Sequence, residues 1–225
     1  MTSDVTPGES LSVLRVIVEG TVTSFRYPHF VQGTQPTYEM PPPATLYGHV
    51  CSALGELIDP ATFRVAVQFT HSGKFIDYEH THMIGGQGVP VKLAPTRREL
   101  LFQPRMTLYI DRPDWLAHFR SPRYVVTLGR SQDLMRYVSV EVVTLRRTDS
   151  AYLENTLLPL NMAAAVGGYV ARTLPRWITP GRTPQWEQYA LVITRQLVTM
   201  PELWIDSDST AWRGVKRGLV WLNFV

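Results

Sequence analysis

The sequence predicts an α+β fold with the β-α-β-β-α-β element order of a ferredoxin-like domain. Three observations lead to this prediction. A β-branched, alternating segment lies near the start of the chain at residues 11–22. A helix follows directly after three consecutive prolines at positions 41–43, and two further β-rich segments lie at residues 63–70 and 105–111. We expect these elements to belong to one domain of residues 1–150.

The helix after the prolines is the element that the sequence defines best. Proline fixes φ and lacks an N–H, so it suits the first turn of a helix and disfavours a helix before it. The helix is therefore predicted over about residues 45–58. Its single cysteine, Cys51, is expected to face the sheet, and Gly48 and Gly55 are expected to allow close approach to the strands. One apolar stripe at helical spacing consists of Leu46, Val50, Ala53, Leu54 and Leu57.

A long β-hairpin is predicted as an insertion over about residues 73–104. Polar and apolar residues alternate at positions 74–80, and the cluster Gly85-Gly86-Gln87-Gly88 indicates the turn at the tip. Both faces of such a hairpin are too polar to be core. We therefore expect either a flexible excursion or a structure that packs on a partner.

The remaining segments give weaker signals. A short helix or turn is predicted at residues 113–120, with strands at 124–128 and 138–145 to complete the domain. Residues 151–225 are predicted to be a small C-terminal extension that completes the fold. Within it we expect a helix at 157–174, a loop at 175–186, and strands at 189–198 and 218–224.

The composition limits the possible classes of protein. With 225 residues and 44% hydrophobic residues, the chain suits one domain with a small appendage. No apolar run reaches membrane-spanning length, and the N-terminus lacks the basic and apolar regions of a signal peptide, so no membrane partner is expected. A single cysteine excludes an internal disulfide, and a cytoplasmic location follows as the expectation.

Positive charge is concentrated in the middle of the chain. The net charge is only +3, yet residues 90–147 hold eleven Lys and Arg against five Asp and Glu. Nineteen of the 22 cationic residues are arginines, whose planar guanidinium binds phosphate and stacks on bases. This pattern fits either an RNA-binding surface or an ordinary solvated surface.

Residues 24–30, Ser-Phe-Arg-Tyr-Pro-His-Phe, form an aromatic and basic loop before the predicted helix. Phosphate oxygens fit the N-terminus of a helix, and unstacked bases fit exposed planar side chains. Two interpretations are open. In the first, splayed bases are held by Phe25, Arg26, Tyr27, His29, Phe30 and Tyr38, and the N–H groups near Thr45 take a phosphate. In the second, Phe25, Phe30 and Tyr38 fill the end of the sheet.

The ordered set of motifs resembles the fifth CRISPR-associated family. The motifs are TYEMPPPATLYGHVCSALGE (residues 37–56), LFQPR (101–105) and SPRYVVTLGRSQDL (121–134), preceded by the apolar first strand and the aromatic loop. The resemblance extends from Val13 to Leu134. Members of that family are RAMP-type subunits, which share the RRM-like architecture and hold the 5′ handle of the guide RNA in type I Cascade complexes. The closing segment WRGVKRG (212–218) also looks like the basic glycine loop of RAMP proteins.

This resemblance implies a non-catalytic subunit of an I-B-like Cascade that caps the backbone filament. The implied partners are the crRNA 5′ handle, the Cascade backbone subunit and the large subunit, with target DNA nearby. No cofactor is implied. The predicted RNA-binding residues are Phe25, Arg26, Tyr27, His29, Phe30, Tyr38, Thr45, Tyr47, Lys92, Arg97, Arg98, Arg105, Arg130, Arg213 and Lys216.

Two alternative functions remain. One is a metal-independent ribonuclease that processes precursor crRNA, as in the type I-C branch of the family, with Tyr38 at the matching position. Arg97 and Arg98 lie near the expected place of its Lys/His partners, but arginine is a poor proton donor or acceptor. The other is an RRM-like adaptor outside CRISPR systems. His80 and His82 lie two residues apart and would point to the same face of a predicted strand. No complete ligand set accompanies them, so no metal site is predicted.

Overall fold

The computed structural model describes residues 9–30, 33–83 and 92–225. Within these ranges strands dominate, and the two α-helices are α1 (Pro43–Leu54) and α2 (Leu116–Arg120). Single 3₁₀ turns occur at Pro60–Thr62, Pro113–Trp115 and Leu160–Ala165. The strands are β1 (Ser10–Gly20), β2 (Val22–Thr23), β3 (Thr34–Gln35), β4 (Val65–Thr70), β5 (Gly73–Met83), β6 (Lys92–Phe102), β7 (Arg105–Ile110), β8 (Met135–Leu153), β9 (Thr156–Pro159), β10 (Val170–Ile178), β11 (Pro184–Val192), β12 (Gln196–Asp206), β13 (Ala211–Trp212), β14 (Val215–Lys216) and β15 (Gly218–Leu219).

Nine of the described strands form one large sheet in the order β10-β11-β9-β4-β7-β1-β8-β12-β15, while β2, β3, β5 and β6 form a second sheet and β13 and β14 a third. At its centre β4, β7, β1 and β8 are all antiparallel neighbours, with Val16 opposite both Leu108 and Val140. Alternation along β1 explains its place in the middle, because Leu14, Val16 and Val18 are buried in the core under α1. The predicted strands at 11–22, 63–70 and 105–111 correspond to β1, β4 and β7.

Helix α1 begins where the prolines predict but ends earlier than predicted. Leu46, Val50 and Ala53 are buried, whereas Leu57 lies beyond the helix and is 70% exposed. The helix ends because Gly55 adopts the left-handed conformation (φ 89°) and donates its N–H to the carbonyl of Cys51. The expected role of the two glycines is wrong: Gly55 is a C-cap, and a Cβ on Gly48 would meet no atom within 4 Å.

Strands β5 and β6 pair antiparallel over their whole length, from Gly73 opposite Phe102 to Met83 opposite Lys92. β6 is also joined to β2 and, in parallel, to β3. The outer strand β5 exposes Phe75, Ile76 and Tyr78. The predicted glycine tip, Gly85-Gly86-Gln87-Gly88, lies outside the described residues.

The C-terminal part differs most from its prediction. The predicted helix at 157–174 is instead strand β9, a 3₁₀ turn and part of β10, and the predicted loop at 175–186 lies mostly in β10 and β11. Tertiary pairing overrides the helix propensity of leucine and alanine here, because β9 inserts between β4 and β11. The predicted strand at 189–198 spans the turn between β11 and β12, and that at 218–224 contains only the short β15.

One further difference concerns the middle of the chain. Residues 124–128 form no strand but a loop with a single bridge, Thr127 opposite Leu134. Within the described ranges, no helix is long and apolar enough to span a bilayer.

Candidate nucleic-acid interface

A groove of about 540 Å³ lies in front of the first turn of α1. We call it the arginine groove, because Arg26, Arg98 and Arg130 reach it from three different parts of the chain. β10 supplies the opposite wall with Pro175 and Ile178. The full lining consists of Ser24, Phe25, Arg26, Pro28, Pro42, Ala44, Thr45, Arg98, Gly129, Arg130, Gln132, Pro175 and Ile178.

The helix N-terminus contributes less to this groove than the sequence suggests. Pro42 is the N-cap, and Pro43 has no N–H to offer. The N–H of Thr45 donates to the carbonyl of Pro42 at 2.8 Å, and so does that of Leu46 at 3.2 Å. The predicted phosphate donor at Thr45 is therefore already engaged, and the arginines are the main positive groups of the groove.

The three arginines differ in how many of their donors are occupied. Arg98 donates through Nε to Glu79 at 2.6 Å. Arg130 donates to Glu79 at 2.5 Å and to Asp133 at 2.7 Å, so that all three of its guanidinium nitrogens are engaged. Arg26 is exposed and makes no ion pair with a residue that the structure describes. Arg26 and Arg98 thus retain free N–H groups for an anionic ligand.

Glu79 on β5 joins the hairpin to this site. Partial burial alone would raise the pKa of its carboxyl, but hydrogen bonds from Arg98 and Arg130 outweigh this and hold the pKa of Glu79 below its usual value. The carboxylate therefore stays ionised at neutral pH and keeps two cations side by side.

The loop that carries Arg130, residues 127–134, is anchored by buried side chains. Asp133 accepts hydrogen bonds from the backbone N–H groups of Ser24 and Arg130 at 3.2 and 3.3 Å. Thr23 donates its hydroxyl to the carbonyl of Leu128. Gly129 has φ 87°, and a Cβ there would lie 2.5 Å from the carbonyl oxygen of Ser24. The loop consequently lies directly on the backbone that leads from β2 into the aromatic loop.

A buried histidine holds the same loop from the helix side. The Nδ1 atom of His49 lies 2.9 Å from the carbonyl oxygen of Thr127, and its Nε2 lies 3.2 Å from the hydroxyl of Tyr137. Burial lowers the pKa of His49, although its bond to Thr127 acts in the other direction. His49 is thus neutral at pH 7, with Nδ1–H donating to the carbonyl and Nε2 accepting from the phenol.

Three of the aromatic rings predicted to bind RNA, those of Phe25, Tyr38 and Tyr47, are buried in this structure. Phe25 and Tyr38 are each 2% exposed, and Tyr47 donates its hydroxyl to the carbonyl of Ile58. Tyr38 stacks on Tyr27 with ring centroids 3.7 Å apart. The geometry therefore gives these three rings a packing role: Phe25 borders the groove, while Tyr38 and Tyr47 lie outside its lining.

Other rings of the aromatic loop do reach the surface. Phe30 is 45% exposed, and His29 stacks on Trp186 of β11 with centroids 5.3 Å apart. Tyr27 is half-buried between Tyr38 and Phe30. These exposed planar groups are the ones available to a base.

The remaining predicted cations lie apart from the groove. Arg97 is exposed on β6 with its guanidinium 5.9 Å from the ring centroid of Tyr78, and Arg105 pairs with Glu19. In the β13–β14 hairpin, Arg213 lies over Trp212, and Lys216 donates to the carbonyls of Ser207 and Ser209 at 2.9 and 2.7 Å. The side chain of Lys92 lies outside the described residues.

Sequence reasoning missed several residues that shape the groove. Glu79, Asp133 and the wall from β10 were not predicted, and neither was Trp186. The spacing of Arg130 and Asp133, which are separated by Ser131 and Gln132, is the one signal that could have indicated a charged loop. Nothing in the local sequence indicates that β10 reaches the groove. Among the described residues, no group of three His, Cys, Asp or Glu is arranged to hold a metal ion.

The fold is that of CRISPR-associated proteins. The chain resembles a solved chain of a CRISPR RNA-guided surveillance complex, with 12% identity, a TM-score of 0.55, and coverage of 90% of this chain and 95% of that one. It also resembles a CRISPR protein from Archaeoglobus fulgidus, with 12% identity, a TM-score of 0.53, and coverage of 95% and 100%. A chain of the type III-B Cmr-beta complex bound to cognate target RNA and AMPPnP matches at 11% identity and a TM-score of 0.50, with coverage of 82% and 86%.

The sequence itself gives the family. The model of the CRISPR-associated protein (Cas_Cas5) family matches residues 13–189, which is most of the chain. The protein belongs to this family, and the predicted resemblance to a RAMP-type subunit is confirmed. No curated protein is similar enough in sequence to match it.

Proposed function

We propose that this protein is a non-catalytic subunit of a type I CRISPR effector complex that binds the 5′ handle of the guide RNA in the arginine groove. The single observation that carries the proposal is the convergence of Arg26, Arg98 and Arg130 on one groove of about 540 Å³. Arginine is the side chain best suited to bind a phosphate through two parallel hydrogen bonds. A groove lined by three of them suits an RNA backbone.

Within this proposal the arginines have different roles. Arg26 and Arg98 contact phosphates, because both retain free N–H groups. Arg130 mainly holds the groove together, because Glu79 and Asp133 already occupy its guanidinium. Bases that leave the groove would meet the exposed rings of Phe30 and His29, and stacking on such a ring is worth about 1–3 kcal/mol per base.

The fold supports a place for the protein in a larger assembly. We infer that β1, α1, β4, β7, α2 and β8 are a ferredoxin-like core, because β4, β7, β1 and β8 follow the strand order of that fold and are all antiparallel. The paired strands β5 and β6 are then an insertion, and the exposed Phe75, Ile76 and Tyr78 on β5 are the surface that would dock on the backbone subunit. The large subunit is the further proposed partner, and the cytoplasm is the proposed location.

RNA binding can be tested by comparing two arginine variants. We expect Arg98→Ala to weaken binding of a handle-bearing RNA about tenfold, because it removes a charged hydrogen bond to phosphate. Arg172→Ala, at a partly exposed arginine outside the groove, should have little effect. Fluorescence anisotropy over a range of salt concentrations gives both affinities. Equal weakening by the two variants would contradict the assignment of the groove.

We also propose that the protein does not cut RNA. A ribonuclease mechanism would use the Tyr38 hydroxyl to move a proton, yet burial, followed by the charge of Tyr27, raises the pKa of Tyr38 to about 12. Tyr38 is 2% exposed and stacked on Tyr27, which leaves little room for a ribose. Repeat RNA incubated with the protein in EDTA should therefore remain intact. Specific cuts that Tyr38→Phe abolishes would support the processing ribonuclease instead.

A further inference from the structure

A second cavity, of about 370 Å³, is lined, like the arginine groove, by residues of the segment before α1. We call it the side pocket. Its floor is apolar and consists of Met40 and Phe69, each 2% exposed. The rim consists of the exposed Ile193 and five polar side chains: Glu39, Thr70, His71, Lys74 and Asn155. The pocket thus combines an apolar floor with a few convergent polar groups, which is typical of a site for a small planar ligand.

The rim residues have hydrogen-bonding capacity that the protein does not use. The Glu39 carboxylate and the Asn155 amide make no hydrogen bond with any residue in the described part of the chain. Asn155 is held in the left-handed conformation (φ 53°), and its backbone carbonyl accepts from the N–H of Phe69 at 2.9 Å. The backbone bond fixes its position on the rim. Lys74 makes a long ion pair of 3.4 Å with Glu99 and keeps further donors free.

The charge of the pocket argues against a phosphate. Its rim carries one ammonium, Lys74, which already pairs with Glu99, and one carboxylate, Glu39, so the rim has no surplus of positive charge. A phosphate would be repelled by Glu39 and would gain nothing from the apolar floor. A neutral, flat group with polar edges fits both features, and a nucleobase is such a group.

The bases differ in the edge that they present to a carboxylate. Guanine alone has two adjacent N–H donors, the ring N1–H and the exocyclic amine, and these match the two oxygens of Glu39. Its neighbouring O6 accepts hydrogen bonds, which Lys74 or the Asn155 amide can donate. Adenine, cytosine and uracil each lack the paired donors.

We propose that the side pocket binds one unstacked guanine of the RNA whose phosphates lie in the arginine groove. This inference rests on the function proposed above. The two cavities share the segment before α1, because Glu39 lines the side pocket and Pro42 lines the groove. Three residues span at most about 10 Å, so neighbouring nucleotides can occupy both cavities.

Inosine provides the test, because it lacks the exocyclic amine of guanine but keeps its O6. The probes are short oligouridines that carry a single internal guanine, inosine or adenine. For the unmodified protein we expect the inosine RNA to bind about tenfold more weakly than the guanine RNA, the loss of one hydrogen bond to a charged group. Glu39→Gln should bind the two RNAs equally. The control Glu56→Gln, at an exposed carboxylate outside the pocket, should retain the preference.

A second variant tests the side pocket independently, so that the inference can be checked even where Glu39→Gln impairs folding. Asn155→Gly removes the amide while suiting the left-handed backbone, and we expect it to reduce the preference for guanine over adenine. If RNA binds with the Arg98 dependence described above but without preferring guanine, the side-pocket inference is wrong and the proposed function stands. If no RNA binds at all, the proposed function is wrong.

Discussion

At the scale of single residues, Asp133 contributes to the groove without lining it. Its side chain is 1% exposed and neutralises Arg130, which is itself only 15% exposed. Asp133→Asn would leave that cation without its main counter-charge, and breaking a buried pair typically costs about 3–5 kcal/mol. We expect a loss of this order in the free energy of unfolding, measured by urea denaturation. Asp114→Asn, which breaks the more exposed pair with Arg112, should cost less than about 1 kcal/mol.

His49 makes a second residue-scale prediction, for the pH dependence of stability. Burial holds the pKa of His49 below its usual value, so the unfolded chain binds a proton in weak acid that the folded chain does not. The contribution of neutral His49 to the free energy of unfolding is unchanged above about pH 6.5. It is lost as the pH falls from there towards the pKa of His49 in the folded protein, by up to about 1.4 kcal/mol per pH unit.

Urea denaturation at several pH values between 5 and 8, a range set by the ordinary histidine pKa of about 6.5, measures this slope. His49→Gln should reduce it, whereas His118→Gln, at an exposed histidine on α2, should leave it unchanged. An identical slope in all three proteins would show that another group titrates.

At the scale of elements, two glycines with opposite surroundings give a matched pair. Gly129→Ala places a Cβ 2.5 Å from the Ser24 carbonyl oxygen at φ 87°, so the loop must move. We expect this variant both to destabilise the protein by about 1–3 kcal/mol and to weaken RNA binding. Gly48→Ala, in the open middle of α1, should stabilise the protein by up to about 1 kcal/mol. Thermal unfolding of both variants checks the signs, and stabilisation by both would contradict this account of the loop.

The elements also show which sequence signals were sufficient. Proline placed the start of α1 correctly because its effect on the backbone is local. Gly55 was misread because a glycine in a helical pattern fits either close packing or a C-cap, and only the observed φ decides between them. Strand β9 was missed because it pairs with β11 and β4, which are distant from it in sequence, and no local pattern encodes such pairing. Strand β10 pairs with β11 across a short turn, but its first residues fit the end of the predicted helix.

The sequence also predicted only part of the candidate site, because several of its contacts join residues that are distant in the chain. Phe25, Arg26, Thr45, Arg98 and Arg130 were predicted and do line the groove. The buried Tyr38 and Tyr47 were assigned to the surface because an aromatic side chain near a polar loop has the same local pattern whether it packs inward or outward. Glu79 was missed because its two arginine partners lie 19 and 51 residues away.

At the scale of the whole molecule, the nine-stranded sheet connects the first and last parts of the chain. β9 and β11 extend the sheet beyond β4, and β12 extends it beyond β8. Both edges of the central four-stranded part are therefore paired with strands that follow residue 153. The arginine groove is built across the same division, since Arg26 and Arg98 come from the first half and Pro175 and Ile178 from β10.

This interleaving has a consequence for synthesis on the ribosome. While only the first 150 or so residues have emerged, β4 and the end of β8 have open edges that invite pairing with other chains, as expected for unfinished sheets. The groove also lacks its β10 wall at that stage. A nascent chain would thus be most prone to aggregate at this stage, about two thirds of the way through synthesis, and the groove proposed to bind guide RNA would be complete only after β10 has been added.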